Sequence, residues 1–312
     1  MNRTTAAALA LLAALIVLVF ALNARPGGRQ LGEEPRVRLD TGDGTREMGL
    51  EEYVKGVVGG EMGQLPAAGG QEGDWPHAAY AAQAILARSF ALTFMSEDGT
   101  VEISTDVQEA QAYAPENITP AIERAVEATR GMVMFHRGEP VKAWFHSYSG
   151  GHTATAKEGL NYQDEEPGFI VAKEMPENEY VPEENRVWSA SIPLAEVSEA
   201  LAEHAFGEVR DVRIEERGPS GRATRLSVTG SRRSGPIHAA ELRIALGAER
   251  MRSTLLDRFE VTGGNLVMEG RGFGHGVGLS QWDAYKLAQE GRSAEEILQF
   301  FFRDIEIEKA WD

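Results

Sequence analysis

Glycine occupies every second position of residues 270–278, "GRGFGHGVG", and this run restricts the fold of the chain more than any other feature. Glycine inside a strand weakens it and often marks a bulge or a point where another backbone or a ligand comes close. Two interpretations follow. In the first, the backbone without side chains forms a flat surface for a flat ligand, and Phe273, His275 and Gln281 lie at its edges. In the second, the glycines only permit close packing or bulges. The spacing of the glycines fits the dinucleotide-binding fingerprint only loosely, and no βαβ unit follows the run.

The composition is that of a globular protein. Of 312 residues, 42% are hydrophobic and 25% are charged, which suffices for one large domain or two small ones. The net charge of -17 would repel a polyanion, so nucleic acid is excluded as the main partner. Cysteine is absent, which excludes disulfides, thiolate nucleophiles and cysteine-based zinc sites.

An apolar, uncharged stretch follows Arg3 and covers residues 4–22. It is about long enough to cross the hydrocarbon core of a membrane, and the small residues of a cleavage site fit it poorly. We therefore predict an uncleaved membrane anchor over residues 1–24; a cleaved signal peptide and a buried core helix are the alternatives. Arg3 predicts a cytoplasmic N-terminus, with the bulk of the protein outside the cytoplasmic membrane. Residues 25–35 are typical of a linker.

The rest of the chain alternates between helical and strand-like patterns. Apolar periodicity predicts helices over 49–62, 77–95, 121–130, 239–246, 280–290 and 294–302. Alternating segments around turn residues predict β-hairpins over 37–48, 132–146 and 256–269, and a strand, a helix and two further strands over 187–230. Because hairpins and helices are segregated, the predicted class is α+β. We predict one domain over 36–312, with 187–250 as a candidate subdomain.

Two charged residues interrupt apolar helix faces. Glu61 follows Leu50, Val54 and Val57 on one face, where burial would raise the pKa of its carboxyl group. A raised pKa is what a general acid needs near neutral pH. Arg88 interrupts the next helix in the same way. The alternative is a buried Glu–Arg ion pair without a catalytic role.

The loop "HSYSGGH" at residues 146–152 offers histidines and serines. A Ser–His nucleophile is conceivable, but the Gly-x-Ser-x-Gly elbow is absent. His146, His152 and His275 could instead bind a metal, although their spacing does not ensure that they converge. A third interpretation is a tight polar loop without a chemical role.

Six segments cover about residue 36 to the C-terminus: "LEEYVKGVVGGEM", "AAQAILARSFAL", "TDVQEAQAY", "AVEATRGMVMFHRGEPVKAWFHSYSGGHT", "ELRIALG" and "GRGFGHGVGLSQWDAYKLAQEGRSAEEIL". Taken together and in this order, they resemble the stage II sporulation protein D family, also called SpoIID/LytB.

The resemblance implies a membrane-anchored lytic transglycosylase, a carbon–oxygen lyase that cuts peptidoglycan glycan strands already stripped of their stem peptides by an amidase. It implies that Glu61 is the catalytic acid, which then acts as the base. No cofactor is expected, and zinc is the alternative. Sporulation does not follow, because the family also occurs in bacteria that make no spores.

Further roles are assigned on the same resemblance. Arg88 is expected to orient Glu61 or the sugar, and Asp106 is the candidate second carboxylate. The residues expected to line the glycan groove are His146, Ser147, Ser149, His275 and Gln281.

The chain also departs from the family pattern. Gly63 stands where the family often has proline, and the insertion "AAGGQEG" follows it. Some relatives bind zinc with histidine and cysteine near the serine-rich loop, and this chain keeps only His146 and His152 as weak metal candidates. Two other functions stay open: a non-catalytic glycan-binding module that stimulates a partner amidase, and a histidine–metal hydrolase.

Overall fold

The computed structural model describes residues 31–65, 73–105 and 110–312. Their α-helices are α1 (Leu50–Glu61), α2 (His77–Leu92), α3 (Pro120–Ala128), α4 (Ala156–Leu160), α5 (Glu183–Arg186), α6 (Leu194–Ala200), α7 (Ala239–Leu246), α8 (Gln281–Gln289) and α9 (Ala294–Phe301). Their strands are β1 (Arg36–Asp40), β2 (Thr45–Gly49), β3 (Thr100–Ser104), β4 (Met132–His136), β5 (Glu139–Pro140), β6 (Phe145–His146), β7 (Val187–Pro193), β8 (Val209–Arg217), β9 (Ala223–Gly230), β10 (Ser234–His238), β11 (Leu256–Thr262), β12 (Asn265–Arg271), β13 (Leu279–Ser280) and β14 (Glu306–Lys309).

The α+β class is confirmed, since the described residues form small, mostly antiparallel sheets packed together with α-helices. The predicted membrane anchor at 1–24 lies outside the described residues. Within those residues, no helix combines the length and the apolar character that a membrane span requires.

Helices α1 and α2 form the centre of the larger hydrophobic core. They run antiparallel, because Arg88 near the end of α2 contacts Glu51 at the start of α1, whereas Tyr80 near the start of α2 contacts Gly63 just beyond α1. Helix α2 is buried along nearly its whole length. A helix that is apolar on all sides belongs in the interior, and its alanines allow close approach. The predicted helices at 49–62 and 77–95 are confirmed, although α2 ends earlier, at Leu92.

Small sheets cover this helical core. Strand β1 pairs antiparallel with β2 and parallel with β3, and its alternate residues Val37 and Leu39 point inward. The predicted hairpin at 132–146 is only partly right. Strand β4 pairs with the two-residue β5 and with the distant β14, whereas β6 leaves this sheet and pairs in parallel with β13.

A second hydrophobic core lies in the later part of the chain. It is built from residues between Trp188 and Met268, on the sheets β10–β9–β8 and β11–β12–β7 and the helices α6 and α7. This core extends past residue 250, the predicted subdomain boundary, because the β11–β12 hairpin packs into it and pairs with β7.

The glycine run lies against another part of the chain instead of forming an open wall. The four glycines at 272, 274, 276 and 278 have φ angles between +71° and +114°, a backbone conformation that residues with a side chain rarely adopt. A Cβ on Gly274 would lie 2.5 Å from the Cβ of His146, and one on Gly278 would overlap the carbonyl of Trp144. Of the two interpretations of this run, close packing is the one that the structure supports, because the segment around residues 144–148 lies against it.

Candidate active site

Glu61 lies half-buried in the last turn of α1. One carboxylate oxygen, Oε1, accepts a hydrogen bond of 2.6 Å from the backbone N–H of Ala112. Burial raises the pKa of Glu61 from 4.5 to about 7, and the Ala112 hydrogen bond opposes this rise only in part. The carboxyl group can therefore hold or release a proton near neutral pH.

The segment 110–118 reaches Glu61 because α1 presents glycine to it. A Cβ on Gly60 would lie 2.6 Å from the carbonyl oxygen of Ala112, and a Cβ on Gly59 would also crowd this segment's backbone. Only a helix without side chains at these two positions lets the segment come this close. The glycines thus determine how deeply the carboxyl group is covered.

Side chains from other elements fix the main chain around Glu61. The final carbonyls of a helix lack partners within it and need donors from elsewhere. Three successive carbonyls here each receive one: Gln281 Nε2 donates to Glu61 at 3.2 Å, the Trp75 indole to Met62 at 3.2 Å, and the Tyr80 hydroxyl to Gly63 at 2.5 Å. Gln281, predicted to line a groove, is buried and holds the backbone of Glu61 itself.

A cleft of about 590 Å³ opens beside this end of α1. Its size falls in the range of small-molecule sites, roughly 300–1,000 Å³. Bare glycine backbone forms one side, and amide, hydroxyl and carboxylate groups face it. The lining residues are Gly59, Gly60, Met62, Gly63, Gln64, Glu116, Asn117, Ile118 and Thr119.

Arg88 does not contact Glu61, which corrects the predicted supporting role. Its side chain is fully buried, and its Nη2 lies 2.6 Å from Oε2 of Glu51. The Glu51 carboxylate also accepts hydrogen bonds from the Gly131 backbone at 3.0 Å and the Trp311 indole at 3.2 Å. The ion pair is therefore structural, and the guanidinium is sealed away from a glycan.

Ser149 is also buried, so it cannot line a groove as predicted. Its hydroxyl donates to Oδ2 of Asp283 at 2.7 Å, and Ser280 donates to the same oxygen at 2.6 Å. Asn178 donates to the other oxygen at 3.1 Å. Burial raises the pKa of Asp283, and these hydrogen bonds oppose the rise. The local sequence signal for this contact is the Ser-x-x-Asp spacing at 280–283, although Ser280 bonds the Asp283 carboxylate and makes no helix-cap hydrogen bond.

His146 and His275 lie side by side, with ring centroids 5.5 Å apart. His146 Nδ1 lies 3.1 Å from the carbonyl of Val277, while His275 Nδ1 accepts the Val277 N–H at 3.0 Å. Burial, reinforced by nearby guanidinium groups, lowers both pKa values, that of His275 to about 3. Both rings are therefore neutral at physiological pH. His146 is buried, so the expectation that it faces a groove is not met.

The described histidines do not form a donor set for zinc. His152 Nδ1 lies 2.7 Å from the carbonyl of Thr153, and His275 Nδ1 is occupied as described. Across residues 31–65, 73–105 and 110–312, no three histidine or carboxylate side chains are grouped to hold a metal ion. The His146–His152 pairing proposed from the sequence therefore lacks further ligands.

Arg222 holds the serine-rich loop in place, and sequence reasoning missed it. Its fully buried guanidinium donates to the carbonyls of Ser149 and His152, each at 2.7 Å, and packs directly against Gly276. Burial lowers its pKa to about 10, while Glu158 opposes this shift. Arg222 follows a Pro-Ser-Gly turn, where an arginine is normally exposed, so no sequence signal indicated this role.

Two predicted residues remain. Ser147 is half-buried, and its carbonyl accepts the N–H of Trp282 at 3.0 Å, one residue beyond Gln281. Asp106 lies outside the described residues, so its role as a second carboxylate stays a prediction.

Comparisons with known proteins bear on this geometry. Residues 41–136, which include Glu61, match a family model described as Stage II sporulation protein. Residues 163–278 match a model described only as a domain of unknown function, DUF8618.

Several curated proteins are similar over most of the chain. Stage II sporulation protein D of Bacillus subtilis is 27% identical over 279 residues, covering 84% of this chain and 75% of the relative. An uncharacterized protein of Brachyspira hyodysenteriae is 27% identical over 267 residues, covering 84% and 67% respectively. The amidase enhancer of Bacillus subtilis is 25% identical over 293 residues, which cover 80% of this chain but 39% of that protein.

The family match and the similarity to stage II sporulation protein D of Bacillus subtilis agree with the motifs quoted from the sequence. The resemblance stated from the sequence is thereby confirmed: residues 41–136 carry the Stage II sporulation protein domain, and most of the chain is similar to stage II sporulation protein D.

Proposed function

We propose that the protein is a lytic transglycosylase, which cleaves the bond between N-acetylmuramic acid and N-acetylglucosamine in peptide-stripped glycan strands. The observation that carries this proposal is Glu61, a half-buried carboxyl group whose pKa is raised to about 7 beside a polar cleft. An acid with this pKa donates a proton readily and recovers it at the same pH.

The reaction would proceed in two proton transfers. Ala112 N–H holds Oε1 of Glu61, so the proton is carried on Oε2. Oε2–H protonates the glycosidic oxygen as the bond from this oxygen to the muramic C1 breaks. The Glu61 carboxylate then removes the proton from the muramic C6 hydroxyl, whose oxygen bonds to C1. The product is a 1,6-anhydro sugar, no water is consumed, and Glu61 ends protonated.

This route requires a single carboxylate, whereas most glycoside hydrolases use two. The three buried carboxylates of the described residues, Glu51, Glu158 and Asp283, are already held by internal donors. Their hydrogen bonds leave them unsuited to activate water. The sugar's own hydroxyl supplies the nucleophile instead.

The test is product analysis with the full chain purified in detergent and amidase-treated peptidoglycan. We expect chain ends lighter by one water than ordinary reducing ends, as mass spectrometry would detect. Glu52→Gln, which changes an exposed carboxylate of the same helix, is the matched control for Glu61→Gln, and only the latter should strongly reduce cleavage. Reducing ends without anhydro ends would contradict the transglycosylase assignment.

The similarity to an amidase enhancer supports a second candidate, a non-catalytic glycan-binding module that stimulates an amidase. This alternative predicts binding of glycan, no new chain ends, and faster peptide release when an amidase is added. Under it, Glu61→Gln would leave the stimulation unchanged. Amidase assays with the wild type and this variant separate the two functions.

We further propose that residues 1–24 anchor the protein in the cytoplasmic membrane, with residues 36–312 outside the cytoplasm. The support is the apolar stretch at 4–22. A reporter fused to the C-terminus that is active only outside the cytoplasm would test this topology.

A further inference from the structure

Four aromatic side chains form a continuous cluster that leads away from Glu61. We call it the aromatic cluster; its members are Trp75, Tyr180, Trp282 and Tyr285. Neighbouring rings lie 4.9 Å apart for Trp75–Trp282, 5.6 Å for Trp282–Tyr285 and 5.2 Å for Tyr180–Tyr285. The first and last members belong to distant parts of the chain, so the fold brings them together.

The inner end of the cluster is attached to the main chain of the candidate active site. The Trp75 indole donates to the carbonyl of Met62, the residue after Glu61. Trp282 follows Gln281, whose amide donates to the carbonyl of Glu61. Both tryptophans are buried, so this end of the cluster is rigid.

The outer end of the cluster is exposed to solvent. Tyr180 is 42% exposed and is one of the few large apolar side chains in the described residues with this much contact with water. Tyr285, whose ring lies 5.2 Å away at an interplanar angle of 53°, is half-buried. This arrangement presents an aromatic face to solvent, and tyrosine is enriched at binding surfaces because its ring is apolar and its hydroxyl is polar.

Polar contacts fix Tyr180 in this position. Asn178 is buried, donates to the carbonyl of Trp282 at 2.8 Å and accepts the N–H of Tyr180 at 3.1 Å. On the other side, Glu179 accepts from Lys286 of α8 at 2.7 Å. The loop that carries Tyr180 is therefore fastened to α8 before any ligand binds, which lowers the entropic cost of binding.

Sugar rings match such a surface chemically. The C–H bonds on the face of a pyranose ring carry partial positive charge, and aromatic faces are electron-rich. We propose that Tyr180 and Tyr285 form a glycan subsite, where one sugar ring of the strand stacks on the exposed face of Tyr180. This inference rests on the proposed function, since it takes the ligand to be the strand cleaved at Glu61.

The experiment measures binding of a soluble N-acetylglucosamine hexamer to the full chain in detergent, by titration calorimetry. Every protein carries Glu61→Gln, so that binding is read without cleavage. We expect Tyr180→Ala to weaken binding about five- to ten-fold, the effect of one aromatic contact. Tyr180→Phe should bind like the parent, because stacking needs the ring and not the hydroxyl. Ile244→Ala, which removes an exposed apolar side chain in α7, is the control and should have no effect.

Equal affinity of the parent and Tyr180→Ala would overturn the subsite, and so would an equal loss in Tyr180→Phe. On cleavable strands with Glu61 intact, Tyr180→Ala should raise KM and leave kcat unchanged. A chain that binds the hexamer through Tyr180 but releases no anhydro ends would support the subsite and refute the proposed reaction. If the protein releases anhydro ends and Tyr180→Ala changes neither hexamer affinity nor KM, the result would support the proposed reaction and refute the subsite.

Discussion

Helix α1 carries a glutamate at each end, and the two are held in opposite ways. Glu51 at the start meets the fully buried guanidinium of Arg88 and two further N–H donors. Glu61 at the end has one backbone donor, Ala112, and no ion pair among the described residues. Burial without a neighbouring cation is what turns a carboxylate into an acid.

The helix itself adds to this difference. The N-terminus of a helix carries partial positive charge and the C-terminus partial negative charge. Glu51 therefore lies where a negative charge is favoured, and Glu61 where it is disfavoured. The same residue type has a structural role at one end and a candidate chemical role at the other.

The largest expected effect separates the two glutamates by activity. Glu61→Gln should lower the cleavage rate by about 10²–10⁴-fold, the contribution typical of general acid–base catalysis. The amide is nearly the same shape but cannot donate and recover a proton. Chain ends released per folded molecule measure this, and circular dichroism checks the fold. Full activity in this variant would remove Glu61 from the mechanism.

The reverse effect is expected at the other end of α1. Glu51→Gln leaves the guanidinium of Arg88 buried without a counter-charge, which should cost about 3–5 kcal/mol of unfolding free energy. Chemical denaturation measures it. Activity per folded molecule should stay close to that of the wild type. A stable Glu51→Gln protein would mean that the buried ion pair is dispensable.

The pH dependence should identify Glu61 directly. Because the acid form is the active one, kcat/KM should fall as pH rises through about 7, the pKa of Glu61. The folded state binds this proton more tightly than an unfolded chain with a pKa of 4.5, so unfolding free energy should decline between pH 4.5 and about 7. Glu61→Gln should lack this part of the decline. If kcat/KM fell at a pH far from 7, a group other than Glu61 would be the general acid.

A smaller effect on rate and pH dependence is expected when the segment 110–118 is moved away from Glu61. Gly60→Ala places a methyl group 2.6 Å from the carbonyl oxygen of Ala112, which pushes the 110–118 segment outward. Water then reaches the carboxyl group of Glu61 and lowers its pKa. The pH above which kcat/KM falls should therefore decrease, with a several-fold loss of cleavage rate. Gly235→Ala, whose nearest contact is at 3.6 Å, is the control and should change neither.

Much of this site was visible in the sequence. The apolar face of Leu50, Val54 and Val57 predicted that Glu61 would be drawn toward the interior, and its pKa follows from that burial. The error over Arg88 arose because periodicity does not fix how two helices are oriented. Their antiparallel packing brings Arg88 to Glu51 rather than Glu61.

Other features required the tertiary structure. The glycine run allowed either a ligand or another backbone, and only the fold shows the segment around residues 144–148 lying on it. The role of Arg222 was not predicted because a residue after a turn is usually exposed to solvent. In the fold, its guanidinium is instead buried against the serine-rich loop, where it donates to the carbonyls of Ser149 and His152. Contacts between segments so far apart leave no local pattern.

The donor on Glu61 belongs to the main chain at Ala112, and this has a consequence for variation. No ordinary side-chain replacement at position 112 deletes that N–H; only proline does. Substitutions at position 112 can therefore change the size and polarity of the side chain while the carboxyl group of Glu61 keeps its hydrogen bond and its orientation. Insertions or deletions between 110 and 118, by contrast, would shift the register of the backbone and misplace the proton.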